Sequence, residues 1–378
     1  MTSESQANPI ALQATESVQP VSGWKRAKKW IRRVLGPIIT IAIFVWILKP
    51  IVQRWDSPVV IGSGKAMRIG DRIMAIDWWQ IGGASLIFAA FLFFFRALVW
   101  RRLLKSFGNK LPVWAATRIW SVSELARYLP GSIWQVVGRV YLAKPYGVRG
   151  SLVTTSQIME LALFLLANLM VAVGALTFFI NKLDVSTRVW VYVAATLVPL
   201  LSILLYPKYF YGITDRVLKK LGKPPIEKRM RWKSLIELLL WKILGLLVQG
   251  YAIYLVVSDV LPLAPSKWWI VAGAYCLAWC AGFLAFWAPG GLGVREAVFI
   301  AAMNFAMKRA IRHEQQHLTW EDRQTFLAFL SVLLRIWATM GELILCGVAH
   351  LLDRSRKELP AEGVPTELPT TVAREATV

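Results

Sequence analysis

The amino-acid sequence predicts an all-α polytopic membrane protein, with about six full spans and two oppositely oriented re-entrant helical hairpins in an inverted repeat. Three observations predict it. Hydrophobic residues make up 56% of the 378 and charged residues only 17%, with a mean hydropathy of +0.50; a soluble domain carries about 25% charged residues. Apolar segments long enough to cross a bilayer recur along the chain. Lys and Arg gather in some of the intervening segments and avoid others, as they do when one side faces the cytoplasm. The 19 Trp suit membrane–water interfaces.

The remaining composition excludes several functions. A formal charge of +22 does not require a nucleic-acid partner in a membrane protein, and no recognition motif accompanies it. Cys276, Cys280 and Cys346 lie in apolar segments, so no disulfide framework is expected. Three His leave little material for a metal site, and no cofactor is expected.

Residues 1–23 are polar and free of Lys and Arg and read as a disordered tail. The basic stretch from Trp24 to Arg33 follows, then an apolar run from Val34 that reads as a retained anchor with a cytoplasmic N-terminus. Further apolar segments run roughly over 78–100, 151–180, 189–206, 234–258, 267–288 and 325–350. Two others, 112–143 and 291–307, are interrupted by Pro, Gly and charge. The membrane core is placed at 24–352, with halves at about 78–206 and 234–352, and 353–378 reads as a disordered C-terminal tail.

Basic residues set the topology. Lys208, Arg216, Lys219, Lys220, Lys223, Lys228, Arg229, Arg231 and Lys233 make the 207–233 loop cytoplasmic and suited to anionic lipid head groups. Arg101, Arg102, Lys105 and Lys110 belong on the same side, as do Arg354, Arg356 and Lys357. If 112–150 or 267–307 crossed once, one of these clusters would face outward. Both segments are therefore expected to enter and return, the first from the cytoplasm and the second from outside, with return arms such as 297–307 about 16 Å long. Each turns at a Pro-Gly pair: Pro130-Gly131, and Pro289-Gly290-Gly291-Leu292-Gly293. Inverted repeats with broken helices mark transporters.

Interrupted helices expose backbone N–H groups, and glycines let a ligand approach them. Arg127 and Arg295 beside the two turns point to anion or phosphate binding. Charges within a bilayer are costly and generally face a partner or a polar path. Arg118, Glu124, Arg127, Arg139, Arg295 and Glu296 flank the turns; Glu160 and Arg335 lie deep in their spans and are assigned to the path. Arg96 and Lys242 are assigned to interhelical ion pairing or snorkelling. The string His313-Glu314-Gln315-Gln316-His317 fits the zincin pattern, but Glu342 would lie about 30 Å from it, so it reads as a polar loop. No P-loop or dinucleotide fingerprint is present, and the extramembrane stretches are too short for a nucleotide-using domain.

The segment Phe286-Trp287-Ala288-Pro289-Gly290-Gly291-Leu292-Gly293-Val294-Arg295-Glu296-Ala297 closely resembles the P-G-G-L-G-x-R-E signature of the lysylphosphatidylglycerol synthase transmembrane (flippase-like) domain family. Arg127-Tyr128-Leu129-Pro130-Gly131, with Gly138, Arg139 and the basic stretch from Lys144 to Arg149, is similar to that family's first-half signature, with Ser132-Ile133-Trp134 where more glycine is expected. The resemblance covers roughly residues 30–352. Members include the membrane half of the multiple peptide resistance factor, which moves aminoacylated phosphatidylglycerol and is followed there by a soluble aminoacyl-transferase domain. About 26 residues follow the last span here, so the resemblance implies a free-standing, non-enzymatic flippase-like protein in a bacterial or archaeal cytoplasmic membrane, both termini cytoplasmic.

The expected function is transbilayer movement of a lipid with an anionic or zwitterionic head, Arg295 and Arg127 pairing with phosphate and Glu296 and Glu160 holding those arginines or meeting a cationic head. The substrate would be aminoacyl-phosphatidylglycerol or another phospholipid or glycolipid. An accessory subunit of an envelope-biosynthesis system is the alternative, and an intramembrane enzyme a third. A lipid-biosynthetic enzyme and a second copy of the chain are further expected partners.

Overall fold

The structure, a computed structural model, describes residues 76–353 apart from 129–133, 178–184, 223, 262, 286–287 and 311–319. It also describes Val45, Lys49, Val52 and two short strands, β1 (Val59–Ile61) and β2 (Lys65–Met67). The apolar run from Val34, both expected tails except Asp353, the Pro130-Gly131 turn and the string from His313 to His317 lie outside the described residues. The strands pair antiparallel in the polar stretch before the first described span; everything else that is regular among the described residues is helical.

Ten helices follow: α1 (Trp78–Ser106), α2 (Val113–Leu125), α3 (Trp134–Ala143), α4 (Gly150–Thr177), α5 (Val185–Leu205), α6 (Pro207–Lys220), α7 (Trp232–Val260), α8 (Trp268–Leu284), α9 (Val294–Ala310) and α10 (Trp320–Leu352). Among the described residues five segments are long and apolar enough to cross a membrane: Trp78–Ser106, Gly150–Thr177, Trp232–Val260, Pro265–Leu284 and Gln324–Leu352. A sixth is added if α5 and α6 are one span bent by 64°. The bend falls at Tyr206-Pro207, where Pro opens the second helix because its missing N–H costs nothing at a first turn.

Local sequence explains where the other helices begin. The Asp77 carboxylate accepts hydrogen bonds from the Trp79 and Gln80 N–H groups and caps α1. The Glu296 carboxylate accepts from the Gly293 N–H at 2.7 Å, satisfying a donor at the start of α9. Within α1, Phe91–Ala97 widens into π-helix, a local irregularity that often accompanies functional sites. Here it carries Arg96, which is buried.

Cross-helix contacts sort the helix ends into two faces. One holds Arg102 paired with Glu237 at 2.8 Å, Arg149 with Glu227 at 3.4 Å, and Arg118 with Asp353 at 2.6 Å. This face therefore gathers the end of α1, the outer ends of α2 and α3, the starts of α4 and α7, and the end of α10, with most of the basic clusters. The opposite face joins the start of α1 to the end of α7: the Asp77 N–H donates to Asp259, and Gln80 donates to the Leu255 carbonyl at 2.7 Å. The α8–α9 hairpin opens on that second face. Span, hairpin and span thus occur twice with opposite sense, in α1, α2–α3, α4 and in α7, α8–α9, α10.

The two hairpins differ in length. Helices α2 and α3, of 13 and 10 residues, reach about 20 and 15 Å, half to two-thirds of a bilayer core. Helices α8 and α9 have 17 residues each, about 26 Å. The 16 Å arm expected over 297–307 is too short, because α9 begins at Val294 and continues to Ala310. The preceding Pro265–Leu284 segment is long enough to span by itself.

Packing relies on close backbone approach as well as on apolar bulk. A Cβ on Gly250 of α7 would overlap Ala272 of α8, and one on Gly273 would overlap Ala175 of α4; small residues at these crossings let membrane helices touch. An apolar cluster around Val257, Ile270, Phe299 and Phe326 joins α7 to α10 at the less basic face. A second, around Trp100, Ile119, Phe164 and Leu246, fills the middle, and a third, around Leu103, Met159 and Tyr211, underlies the basic face.

Candidate functional site

Inside the molecule Ala126–Tyr128, at the end of α2, lies against Pro289–Gly291, the turn before α9. That turn depends on glycine. Gly290, Gly291 and Gly293 have φ of 61°, 70° and 82°, left-handed values that a side chain resists. Gly291 has a second reason: a Cβ there would lie 2.8 Å from the Gly282 carbonyl and from Arg295 Nε.

Behind Ala126–Tyr128 lies a charge cluster almost without exposure. Arg139 is fully buried and donates to Ser123 Oγ at 2.9 Å, Glu124 at 2.9 Å and Glu160 at 3.0 Å. Glu160 also accepts from Lys242 Nζ at 3.0 Å. Glu124 accepts from Gln135 at 2.5 Å and from Arg127 at 3.1 Å. Arg127 in turn pairs with Glu342 of α10. Arg96 stands over the Phe164 ring at 3.7 Å, with looser pairs to Glu124 and Glu160 at 3.6 and 3.9 Å. Every carboxylate in this cluster has a cationic partner, as burial demands.

The second half is cationic. Arg335 of α10 donates to the Gly290 carbonyl at 3.4 Å and stands 3.9 Å from Glu296. Arg295 differs from all the others. Its guanidinium sits over the Trp279 ring at 5.4 Å, its stem fills the space above Gly282, and its Nε is buried with no hydrogen-bond partner. It makes no hydrogen bond or ion pair with any described residue.

Two adjoining cavities open between the halves. The larger, about 470 Å³, is lined by Arg96, Arg127, Arg295, Arg335 and Glu342 on its polar side and by Trp120, Phe164 and Trp279 among its rings. The smaller, about 370 Å³, shares Arg295 and Arg335 and adds Glu296 and Ser331.

The structure therefore brings Arg127, Arg295, Glu296 and Arg335 to the cavities, with Glu124, Arg139 and Glu160 in the cluster behind, while Gly290, Gly291 and Gly293 shape the turn. Pro289 opens that turn. Arg118 stands apart: it pairs with Asp353 and donates to Tyr146 at 3.1 Å near the basic face. Asp353, placed in the tail by sequence, is thereby buried in the fold. Two role assignments change. Glu296 caps α9 and approaches Arg335, and Glu160 holds Arg139 and Lys242; neither holds Arg295 or Arg127. Arg96 and Lys242 do form interhelical pairs, yet Arg96 also lines the larger cavity.

Sequence reasoning did not place Glu342, Tyr275, Trp279 or Gln135 in the site. Glu342 carried a signal, a lone acid in an apolar span; the others carried none. Among the described residues no group of three or more His, Cys, Asp or Glu could hold a metal ion.

Several apolar helices long enough to cross a membrane, packed around buried charged residues, define a polytopic membrane protein. Residues 65–311 match the lysylphosphatidylglycerol synthase TM region, and the chain belongs to that family. The match ends before α10, which supplies Arg335 and Glu342. A comparison with curated proteins returned no match.

Proposed function

We propose that the protein moves a lipid with an anionic or zwitterionic head between leaflets, as a transporter and not an enzyme. The observation that carries this reading is the contact of Ala126–Tyr128, at the end of α2, with the Pro289–Gly291 turn beside cationic cavities inside an apolar bundle. A head group crossing there would exchange water for arginine side chains, while the acyl chains stay in lipid. The arrangement follows the general design of transporters, with broken helices at a central site between inverted halves. The basic clusters on one face support a cytoplasmic placement of that face and of the C-terminus, in a bacterial or archaeal inner membrane.

Helix α6 supports a role for anionic lipid at that face. Tyr209, Ile213 and Val217 are exposed apolar residues at helical spacing, accompanied by Lys208, Arg216, Lys219 and Lys220. Such a helix lies in the interface, apolar face in the acyl boundary and cations among head groups.

Purified protein in vesicles tests the reading. Fluorescent phospholipid in the inner leaflet should become accessible to an impermeant quencher faster than in protein-free vesicles. No acceleration with any lipid, from folded protein, would favour an accessory subunit that needs a lipid-biosynthetic partner.

A further inference from the structure

The balance of charged residues around the cavities allows the head group to be specified more closely, given the translocation reading above. Across the cluster and the cavities, the described cations are Arg96, Arg127, Arg139, Lys242, Arg295 and Arg335, and the described carboxylates are Glu124, Glu160, Glu296 and Glu342. Each carboxylate already has a partner. Glu124 and Glu160 share Arg139, Glu342 holds Arg127, and Glu296 accepts from the Gly293 N–H and faces Arg335. Positive charge is in excess, and Arg295 is the cation left without an ion pair or hydrogen bond among the described residues.

Arg295 is half-buried, with its Nε enclosed and without a hydrogen-bond partner; a guanidinium in this state offers an anion a place, because a partly desolvated charge is costly until it is paired. Arginine forks match phosphate oxygens, giving hydrogen bonds stronger than neutral ones. The aromatic walls exclude water and strengthen that attraction. A cationic head meets the reverse situation: an ammonium would find every carboxylate occupied and Arg295 repelling it.

We infer that the cavity selects a phosphate-bearing lipid head without a compensating amine, and prefers a phosphate monoester to a phosphodiester, with Arg295 as the primary phosphate ligand. This separates the chain from a carrier of aminoacylated lipid, whose head adds positive charge. The excess of two cations over carboxylates matches a dianionic monoester better than a phosphodiester with a single charge.

The test is equilibrium binding, so that it can fail independently of transport. Full-length protein in detergent is mixed with equal concentrations of phosphatidate, phosphatidylglycerol, phosphatidylethanolamine and lysyl-phosphatidylglycerol, and retained lipid is read by native mass spectrometry. Phosphatidate should be retained most, phosphatidylglycerol next, and the two amine-bearing lipids least. Arg295→Gln should weaken phosphatidate retention about tenfold or more, the equivalent of one charge-assisted hydrogen bond. It should leave phosphatidylethanolamine unchanged. Arg102→Gln, an exposed charge paired with Glu237, should change neither. Inorganic phosphate at a hundredfold excess should displace little lipid; full displacement would assign the site to free phosphate and overturn the lipid assignment. Retention of lysyl-phosphatidylglycerol or phosphatidylethanolamine equal to that of phosphatidate would overturn the head-group assignment. So would unchanged phosphatidate retention by the Arg295 variant. Lipid movement in vesicles with any of these binding results would leave translocation standing and only its cargo revised.

Discussion

Replacing Arg295 should move stability far less than replacing Arg139, although both are arginines inside the same bundle. Arg295 makes no polar contact with a described residue, so its desolvation is not offset by pairing. Substituting buried ionic groups with apolar side chains of similar volume is neutral to stabilising by about 1–4 kcal/mol. Loss of the Trp279 cation–π contact takes back about 0.5–2 kcal/mol, and Met preserves the stem that lies over Gly282. Because Arg295 is only half-buried, the two effects nearly offset, and Arg295→Met should lie within about 2 kcal/mol of wild type. Arg139 is fully buried and donates to Ser123, Glu124 and Glu160. Its loss strands two carboxylates, and breaking a buried pair in this way costs about 3–5 kcal/mol. Thermal unfolding of the two variants in the same detergent, followed by intrinsic fluorescence, gives the comparison. An Arg295→Met protein that unfolds well below wild type would refute the reasoning, because it would show that Arg295 already has a structural partner.

Other consequences follow from the same contacts. Adding Glu160→Gln to Arg139→Met should recover part of the lost stability, since it removes one stranded charge; strict additivity in a double-mutant cycle would contradict the network. Gly282→Ala places a methyl group where the Arg295 stem lies, so lipid movement should fall while stability drops by about 1–3 kcal/mol; a wild-type transport rate would mean Arg295 is not held where it acts. Changing Lys208, Arg216, Lys219 and Lys220 together to Gln should weaken the dependence of activity or stability on anionic lipid, by about 1 kcal/mol per residue near the surface. An unchanged response to phosphatidylglycerol content would remove α6 from the lipid interface.

Much of this arrangement was legible in the sequence because its physical causes are local. A glycine run after Pro289 announces a backbone with positive φ, whichever helices surround it. Lys and Arg counts in short loops report sidedness because the membrane reads them additively. The inverted repeat followed from those two signals together. What escaped depends on distant pairing. Arg127 and Glu342 meet only because α10 passes both hairpins, and no spacing in the chain encodes that. Glu160 and Lys242, 82 residues apart, were separately recognisable as buried charges but not as a pair. The Glu296 error has a different origin: adjacency to Arg295 suggested an ion pair, whereas successive helical side chains diverge and the carboxylate turns back to cap its own helix. The length of α9 was underestimated because the Pro, Gly and charge around 289–296 were taken to shorten the return arm to 297–307, whereas the helix begins at Val294 and runs to Ala310.

The central claim is that a head group crosses between the hairpins and meets Arg295 on the way. Its most direct test is the initial rate of transbilayer movement of labelled phosphatidate in vesicles, comparing wild type with Arg295→Met at matched amounts of folded protein. The account predicts rapid movement for wild type and at least tenfold slower movement for the variant, from a protein of similar stability. Equal rates would contradict it and would place the lipid path outside the two hairpins.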